Sequence, residues 1–350
     1  MENTDADCCS GRSGLYELRL LFLRVYCFNQ MFLSLGGTDA VAVYSIVSVP
    51  GDILYRVGQG SGDVALTIAS LLFEEEDRRS LVELVRVMVR YSLLLICGAV
   101  LVTCATAPWI ISLYLGGDSH VFEGAMTALR LFSVSFIPSC IVCVFEHYFQ
   151  GIRHLKITHL LVVCDGFALT TSMGWIFGKL LGLNGIWYGI ITGQVATLLV
   201  ISLYVWKKAR KVALSAEVYS CLDSGFGADP GDILDFTVTD RFGATAASEK
   251  MRVFFLGKVV RARESMLVSL CTEEIAMNIL AHGFTADHRK HTLEIRTVHK
   301  GDRLTLHFRD DCVLFDPTAY AALHLSSGPD QACAWSCIWW TKRCMSIPWA

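Results

Sequence analysis

The residues best suited to chemistry lie late in the chain, in CTEEIAMNILAHGF (271–284). Glu274 and Asn278 are four apart, so on a helix their side chains project from one face. A carboxylate and an amide oxygen placed that way suit Mg²⁺ and a nucleotide phosphate: Asn278 offers a hard oxygen ligand, and Glu274 can order or deprotonate a nucleophile. The spacing alone is common on exposed helices. RDDCVLFDP (309–317) adds to it, an acidic turn followed by Phe315, Asp316 and Pro317 that suits the edge of a base. For Asp311 and Asp316 the competing account is a solvated acidic turn, and for His282 a helix C-terminal charge.

A second set lies inside an apolar stretch. Asp52, Arg56, Gln59 and Asp63 recur at spacings of four, three and four, which puts them on one helical face. Charges at membrane depth are costly, so that face cannot point at lipid. Two arrangements satisfy this: an opposite-charge stripe buried against neighbouring helices, or the wet face of a transport cavity. Gly58, Gly60 and Gly62 would assist the second by permitting close backbone approach or local unwinding, and the two readings stand about level. Arg86 and Arg90 lie near the end of their apolar segment, where long basic side chains snorkel. Arg130, Glu146 and Asp165 lie deeper, as packing partners or, for a carboxylate, as an ion-coupling group.

The elements that carry these residues follow from hydropathy. Of the 350 residues 53% are hydrophobic and only 18% charged, with a mean hydropathy of +0.46. A soluble domain carries about 25% charged residues, so a single water-soluble globule is excluded. A net charge of −3 and a pI near 6.4 argue against a nucleic-acid partner, which requires a basic face.

Apolar segments near the ~20 residues that cross a bilayer occur at Leu15–Leu35, Ala40–Phe73, Val82–Ile111, Ala125–Phe149, Thr158–Leu181 and Gly185–Trp206. Glu17, Arg19 and Arg24 interrupt the first. Lys and Arg mark alternate connections, at Arg78-Arg79, Arg153–Lys156 and Lys207–Lys211, while the loop between Pro108 and Phe122 has none. By the positive-inside rule the basic connections, and everything after Trp206, are cytoplasmic. The 14 cysteines are scattered through apolar stretches, so they indicate no disulfide framework, and Cys140 and Cys143 read as small helix fillers.

After Lys211 the composition becomes that of an ordinary soluble domain. Gly225, Gly227, Pro230 and Gly231 suggest a linker. The pattern then predicts a strand over 233–240, helices over 244–258 and 263–284, and strands over 292–299 and 303–309 joined by a turn at Lys300-Gly301-Asp302. That order suggests an α/β sandwich with helices on one face of a mixed sheet.

Two resemblances add to this reading. GGTDAVAVYSIV (36–47), GQGSGDVALTIASLLFEEEDRRSLVELVRVMVRYSLLL (58–95), ALRLFSVSFIPSCIVCVFEHYFQGIRH (128–154) and GLNGIWYGIITGQVATLLV (182–200) resemble multidrug and toxic compound extrusion (MATE) transporters, in their second six-helix lobe. That implies cation-coupled antiport of organic, drug-like substrates between two lobes, of which this sequence carries one. The blocks at 271–284 and 309–317 resemble the N-box and first glycine box of the GHKL (histidine-kinase-like) ATPases, in their anti-sigma-factor serine kinase branch. This second resemblance implies Glu274 as general base, Asn278 as Mg²⁺ ligand, Asp310 as acceptor for the adenine amino group, and ATP with Mg²⁺ as cofactors. Cys312 stands where that family has Gly, and no second glycine-rich box follows Gly328.

The expected organisation is therefore an uncertain N-terminal segment (1–35), a helical MATE-like membrane lobe (36–211), a linker (212–231) and a truncated GHKL-like α/β sandwich (232–331). A tryptophan-rich tail (332–350) reads as an out-of-frame extension. The expected function is a bacterial inner-membrane transporter with a cytosolic ATP-binding regulatory domain. Its partners are then the lipid bilayer, a small organic substrate and, as a homodimer, a second copy. The alternatives are a membrane-anchored serine/threonine kinase with a protein phosphorylation target, and a non-functional remnant.

Overall fold

The computed structural model describes residues 3–115, 121–210, 213–223, 225–256, 258, 262–284, 289–300 and 303–312, with side chains from Arg19 onward except at 230, 262, 264, 303 and 304. Phe315, Asp316 and the 332–350 tail lie outside the described residues. The chain divides into two units, Met1–Gly225 and Phe226–Ala350.

The first unit is helical: α1 (Asn3–Glu74), α2 (Arg78–Tyr114), α3 (Phe122–Gly151), α4 (Leu155–Val163), a π-helical turn (Cys164–Ala168), α5 (Leu169–Leu181), α6 (Leu183–Ala209) and the single-turn α7 (Ala216–Tyr219). Among the described residues five helical stretches are long and apolar enough to cross a membrane, the first of them 56 residues over Arg19–Glu74. Together they make this a multi-pass membrane protein. The first stretch is nearly three times the ~20 residues that cross a bilayer, because α1 is two helices joined at Gly37, whose φ of 68° and ψ of −157° belong to glycine alone. Phe28 and Tyr44 would stand about 24 Å apart along a straight helix, yet their ring centroids are 6.3 Å apart, so the chain folds back on itself. The two arms supply the first two expected spans.

Gly182 has nearly the same geometry, φ 70° and ψ −152°, and turns α5 back along α6. The two backbones then touch: a Cβ on Gly189 would lie 2.5 Å from Gly174 Cα, and one on Gly193 2.6 Å from Thr170 Cα. Small residues at this seam supply the close van der Waals packing that holds helices together where lipid removes the hydrophobic drive. Around Gly37 the core is aromatic, with Phe32 between Tyr44 (4.8 Å) and Trp187 (4.7 Å). Pro50, Pro108 and Pro138 sit inside helices without ending them.

The three basic connections assemble at one end of the bundle. Arg153 donates to Glu74 at 2.9 Å, Arg78 to the Asp223 carbonyl at 2.8 Å, and Lys208 pairs with Asp223 at 3.2 Å. The segment expected as a linker begins as part of this end. Ser215 caps α7, and Tyr148 donates its hydroxyl to the Ser220 carbonyl at 2.9 Å. Cys221 is buried with a φ of 52°, and its burial pushes the thiol pKa up to about 11. Local turn residues do not reveal such packing.

The second unit contains β1 (Ile233–Val238), α8 (Arg241–Leu256), α9 (Ala262–Asn278), a π-helical turn (Ile279–Gly283), β2 (Leu293–Lys300) and β3 (Arg303–Asp310). The strands lie in the order β1-β2-β3, and both pairings are antiparallel. Among the described residues the sheet is wholly antiparallel, and no parallel pair of the expected mixed sheet occurs there. The two-residue step from Lys300 to its partner Arg303 makes β2 and β3 a hairpin, which is antiparallel by construction.

Strand alternation sorts the two faces. Leu293, Ile295 and Val238 join Ala247, Met251, Phe255, Val268 and Ala276 of the helices in one core. The opposite face pairs Arg296 with Asp235 (3.7 Å) and Arg309 with Glu294 (3.8 Å). The result is a two-layer α/β unit.

Candidate functional site

The polar stripe of α1 is not buried against other helices of this chain. Asp52 and Arg56 are exposed, and the Asp63 side chain is 72% exposed. Gln59 alone is half-buried, because at 100° per residue it lies on the inner edge of the stripe. The helix does not unwind at Gly58, Gly60 and Gly62; non-helical backbone within α1 occurs at Gly37. Gly62 instead serves close approach, since a Cβ there would fall 2.6 Å from His147 Nδ1.

Behind the stripe is a cavity of about 490 Å³, lined by Arg24, Tyr55, Gln59, Glu146, His147 and Asp165 together with apolar side chains. Three of the expected polar residues thus converge there, Gln59, Glu146 and Asp165, while Asp52 and Arg56 stay outside. Gln59 donates to the Tyr55 hydroxyl and accepts from Cys143 Sγ at 3.7 Å. His147 Nδ1 lies 2.9 Å from the Cys143 carbonyl, an acceptor, so Nδ1 carries the proton. Its Nε2 is 3.6 Å from Asp63 Oδ1, which links the cavity to the exposed stripe.

Asp165 sits on the π-helical turn Cys164–Ala168, and its enclosed Oδ1 has no hydrogen-bond partner; neither does the enclosed Oε1 of Gln194. The Arg24 guanidinium acts on Asp165 electrostatically. π-turns inside helices recur at functional sites because the extra residue re-aims a side chain. Sequence reasoning missed Arg24, Tyr55 and His147 as cavity residues. Arg24 did carry a signal, being a charge within an apolar segment, but it marked an interruption and not a destination. Arg130 is exposed, Arg86 pairs with Glu83, and Arg90 is exposed near the basic end.

In the second unit Glu274 is exposed and Asn278 half-buried at the end of α9. The neighbouring Glu273 is engaged elsewhere, accepting from Thr245 at 3.0 Å. A π-turn follows Asn278 directly, and it brings Gly283 against the turn after β3: a Cβ on Gly283 would meet Cys312 Sγ at 2.9 Å. The end of the first block singled out in the sequence is therefore adjacent to Cys312 of the second. Asp310 is exposed, with Oδ1 accepting from the Cys312 amide at 3.1 Å. Asp311 is held below the usual carboxylate range, first by the Thr292 amide at 2.9 Å and then by His291.

No family model and no curated protein matches this sequence. Among solved structures the chain is similar to an outward-facing multidrug resistance MATE family transporter of the MOP superfamily, with a TM-score of 0.50 and 19% identity over 53% of this chain and 42% of that one. It is also similar to a MATE structure in complex with MaL6 (TM-score 0.47, 17% identity, 53% and 42% covered). A MOP superfamily transporter from Pyrococcus furiosus gives a TM-score of 0.46 and 17% identity over 75% of this chain and 57% of that one. The first likeness shows a MATE-like fold for the membrane part, and the chain spans less than half the length of that transporter.

Proposed function

We propose that the membrane unit is one lobe of a MATE-type antiporter, which exchanges a cation for an organic, drug-like substrate. The observation that carries this reading is the exposed stripe of Asp52, Arg56 and Asp63 on an apolar helix bundle. Lipid cannot solvate such a face, so water or a second lobe must cover it, and substrate passes between. The cavity behind the stripe supplies the coupling site, with Asp165 and Glu146 as cation-attracting carboxylates and Arg24 as their counter-charge. The basic end of the bundle, which holds the connections around Arg78, Arg153 and Lys208, faces the cytoplasm of a bacterial cell by the positive-inside rule.

The test is dye exchange by the full chain in everted membrane vesicles. An imposed proton or sodium gradient drives uptake of a lipophilic cationic dye, and Asp165→Asn removes that uptake. The reading fails if vesicles with the wild-type chain take up no more dye than empty ones.

For the second unit we propose Mg·ATP binding in a GHKL-like manner. Asn278 would hold Mg²⁺, Glu274 would order the nucleophile, and Asp310 would accept from the adenine amino group. Phe315 and Asp316 would follow that turn. The residues present fit this use: Glu274 is open to solvent on the same helical face as Asn278, and Gly283 lies against the 309–312 turn. Phosphoryl transfer asks a protein mainly for positioning, which such a constellation supplies. Binding of a fluorescent ATP analogue to the full chain, lost in Asn278→Ala, tests it; no binding at millimolar nucleotide refutes it. Phosphorylation of a second protein that depends on Asn278, with dye exchange unchanged, would favour the kinase reading.

A further inference from the structure

The turn after β3 places three chemically different ligands together. His291, Asp311 and Cys312 each offer one ligand atom, and these atoms all lie within 4.8 Å of one another. We propose that they form a binding site for a zinc-class transition metal ion, with water completing a tetrahedral shell. The proposal is independent of the nucleotide reading above.

The chemistry of the set selects the ion. A thiolate and an imidazole favour Zn²⁺ over Mg²⁺ or Ca²⁺, which require oxygen ligands. In a tetrahedral zinc shell with bonds of about 2.0–2.3 Å the ligands stand roughly 3.3–3.8 Å apart. His291 Nδ1 and Asp311 Oδ1 are 3.1 Å apart, so that edge is already close to the required length. The site is also built. The His291 side chain is only 5% exposed, packed against the Phe284 ring at a centroid distance of 5.6 Å. Asp311 is oriented by the Thr292 amide at 2.9 Å, an outer-shell hydrogen bond of the kind that fixes metal ligands.

The sulfur is accommodated by a glycine. A Cβ on Gly283 would come 2.9 Å from Cys312 Sγ and 3.2 Å from its Cβ, so a larger residue would displace the sulfur from this position. The half-exposed Asp311 leaves one side open for water. Binding releases the Cys312 thiol proton to solvent as the thiolate–metal bond forms. The bound ion would pin the segment just before β2 to the turn at Asp311 and Cys312, next to Asp310, and would thereby fix the geometry of that turn.

The experiment uses the full chain in detergent, stripped of metal with a chelator and titrated with Co²⁺. Tetrahedral Co²⁺ with one thiolate gives a near-ultraviolet charge-transfer band and strong visible bands, and added Zn²⁺ displaces both. Cys312→Ser removes the charge-transfer band. Asp311→Asn, a milder change at an exposed position, weakens Co²⁺ binding by at least ~10-fold. A triple variant with Cys333, Cys337 and Cys344 changed to Ser keeps the band. Absence of a thiolate band in the wild-type chain, or its persistence in Cys312→Ser, overturns the proposal. An unchanged affinity in Asp311→Asn overturns it equally, even where Cys312→Ser fails to fold.

Discussion

His147 Nε2 stands 3.6 Å from Asp63 Oδ1, with the histidine side chain 15% and the aspartate side chain 72% exposed. This pair joins the polar stripe on the outside of the bundle to the cavity that holds Arg24, Glu146 and Asp165. His147 Nδ1 is committed to the Cys143 carbonyl, so Nε2 donates to Asp63 only when the ring is charged.

Because Asp63 is largely exposed on this chain, its pairing contributes at most about 1 kcal/mol to stability. Asp63→Asn should leave the melting temperature of the detergent-solubilised chain nearly unchanged and yet abolish gradient-driven dye uptake. A loss of both together would indicate a structural role instead.

Gly37 and Gly182 make the two reversals on which the helical hairpins depend. Alanine at either position is strained by roughly 1–3 kcal/mol, because a Cβ is disfavoured at that φ and ψ. Gly60→Ala is the control: nothing lies within 4 Å of the added methyl group, and the helix is regular there. Thermal melts should show Gly37→Ala clearly below wild type and Gly60→Ala at or above it.

Gly189 tests the seam between α5 and α6. An added Cβ meets the backbone at Gly174 Cα and Met173 O, both at 2.5 Å, and backbone cannot rotate away as a side chain can. Gly189→Ala should cost on the order of 3 kcal/mol, at the upper end for overpacking. Gly62→Ala meets His147 Nδ1 at 2.6 Å, a movable ring, and should cost less. Denaturant or thermal unfolding that ranks these two the other way would contradict the described packing.

His154 gives a pH dependence at the basic end. Burial, and then the Lys208 ammonium 3.0 Å from its Nε2, hold its pKa below the usual 6.5, while Asp223 works weakly in the other direction. The folded chain thus binds fewer protons than the unfolded one, and the contribution is fully present above pH 6.5 and lost as pH falls below it. Between neutral pH and about 5 the wild type should lose more stability than His154→Gln. Parallel pH profiles would refute this.

Much of the chain could be read locally. Apolar run length marked the membrane segments, and Gly37 and Gly182 fall in the gaps between them. Alternation placed β1, β2 and β3 to within about two residues, and the four-residue spacing put Glu274 and Asn278 on one face. These features depend on neighbours along the chain, so a sequence alone determines them. The direction of each face is a different matter. The spacing of Asp52, Arg56 and Asp63 fixed that they share a side of α1; packing against α3 and the first arm decided that this side is the exposed one.

Only the tertiary structure brought Arg24 into one cavity with His147 and Asp165, which lie more than a hundred positions further along the chain. It alone set Gly283 beside Cys312 and gathered His291, Asp311 and Cys312 into a single cluster. Periodicity reports the orientation of side chains about one axis. Convergence depends on how several axes pack, and that is settled by close contacts such as Gly189 against Gly174, which no single segment encodes.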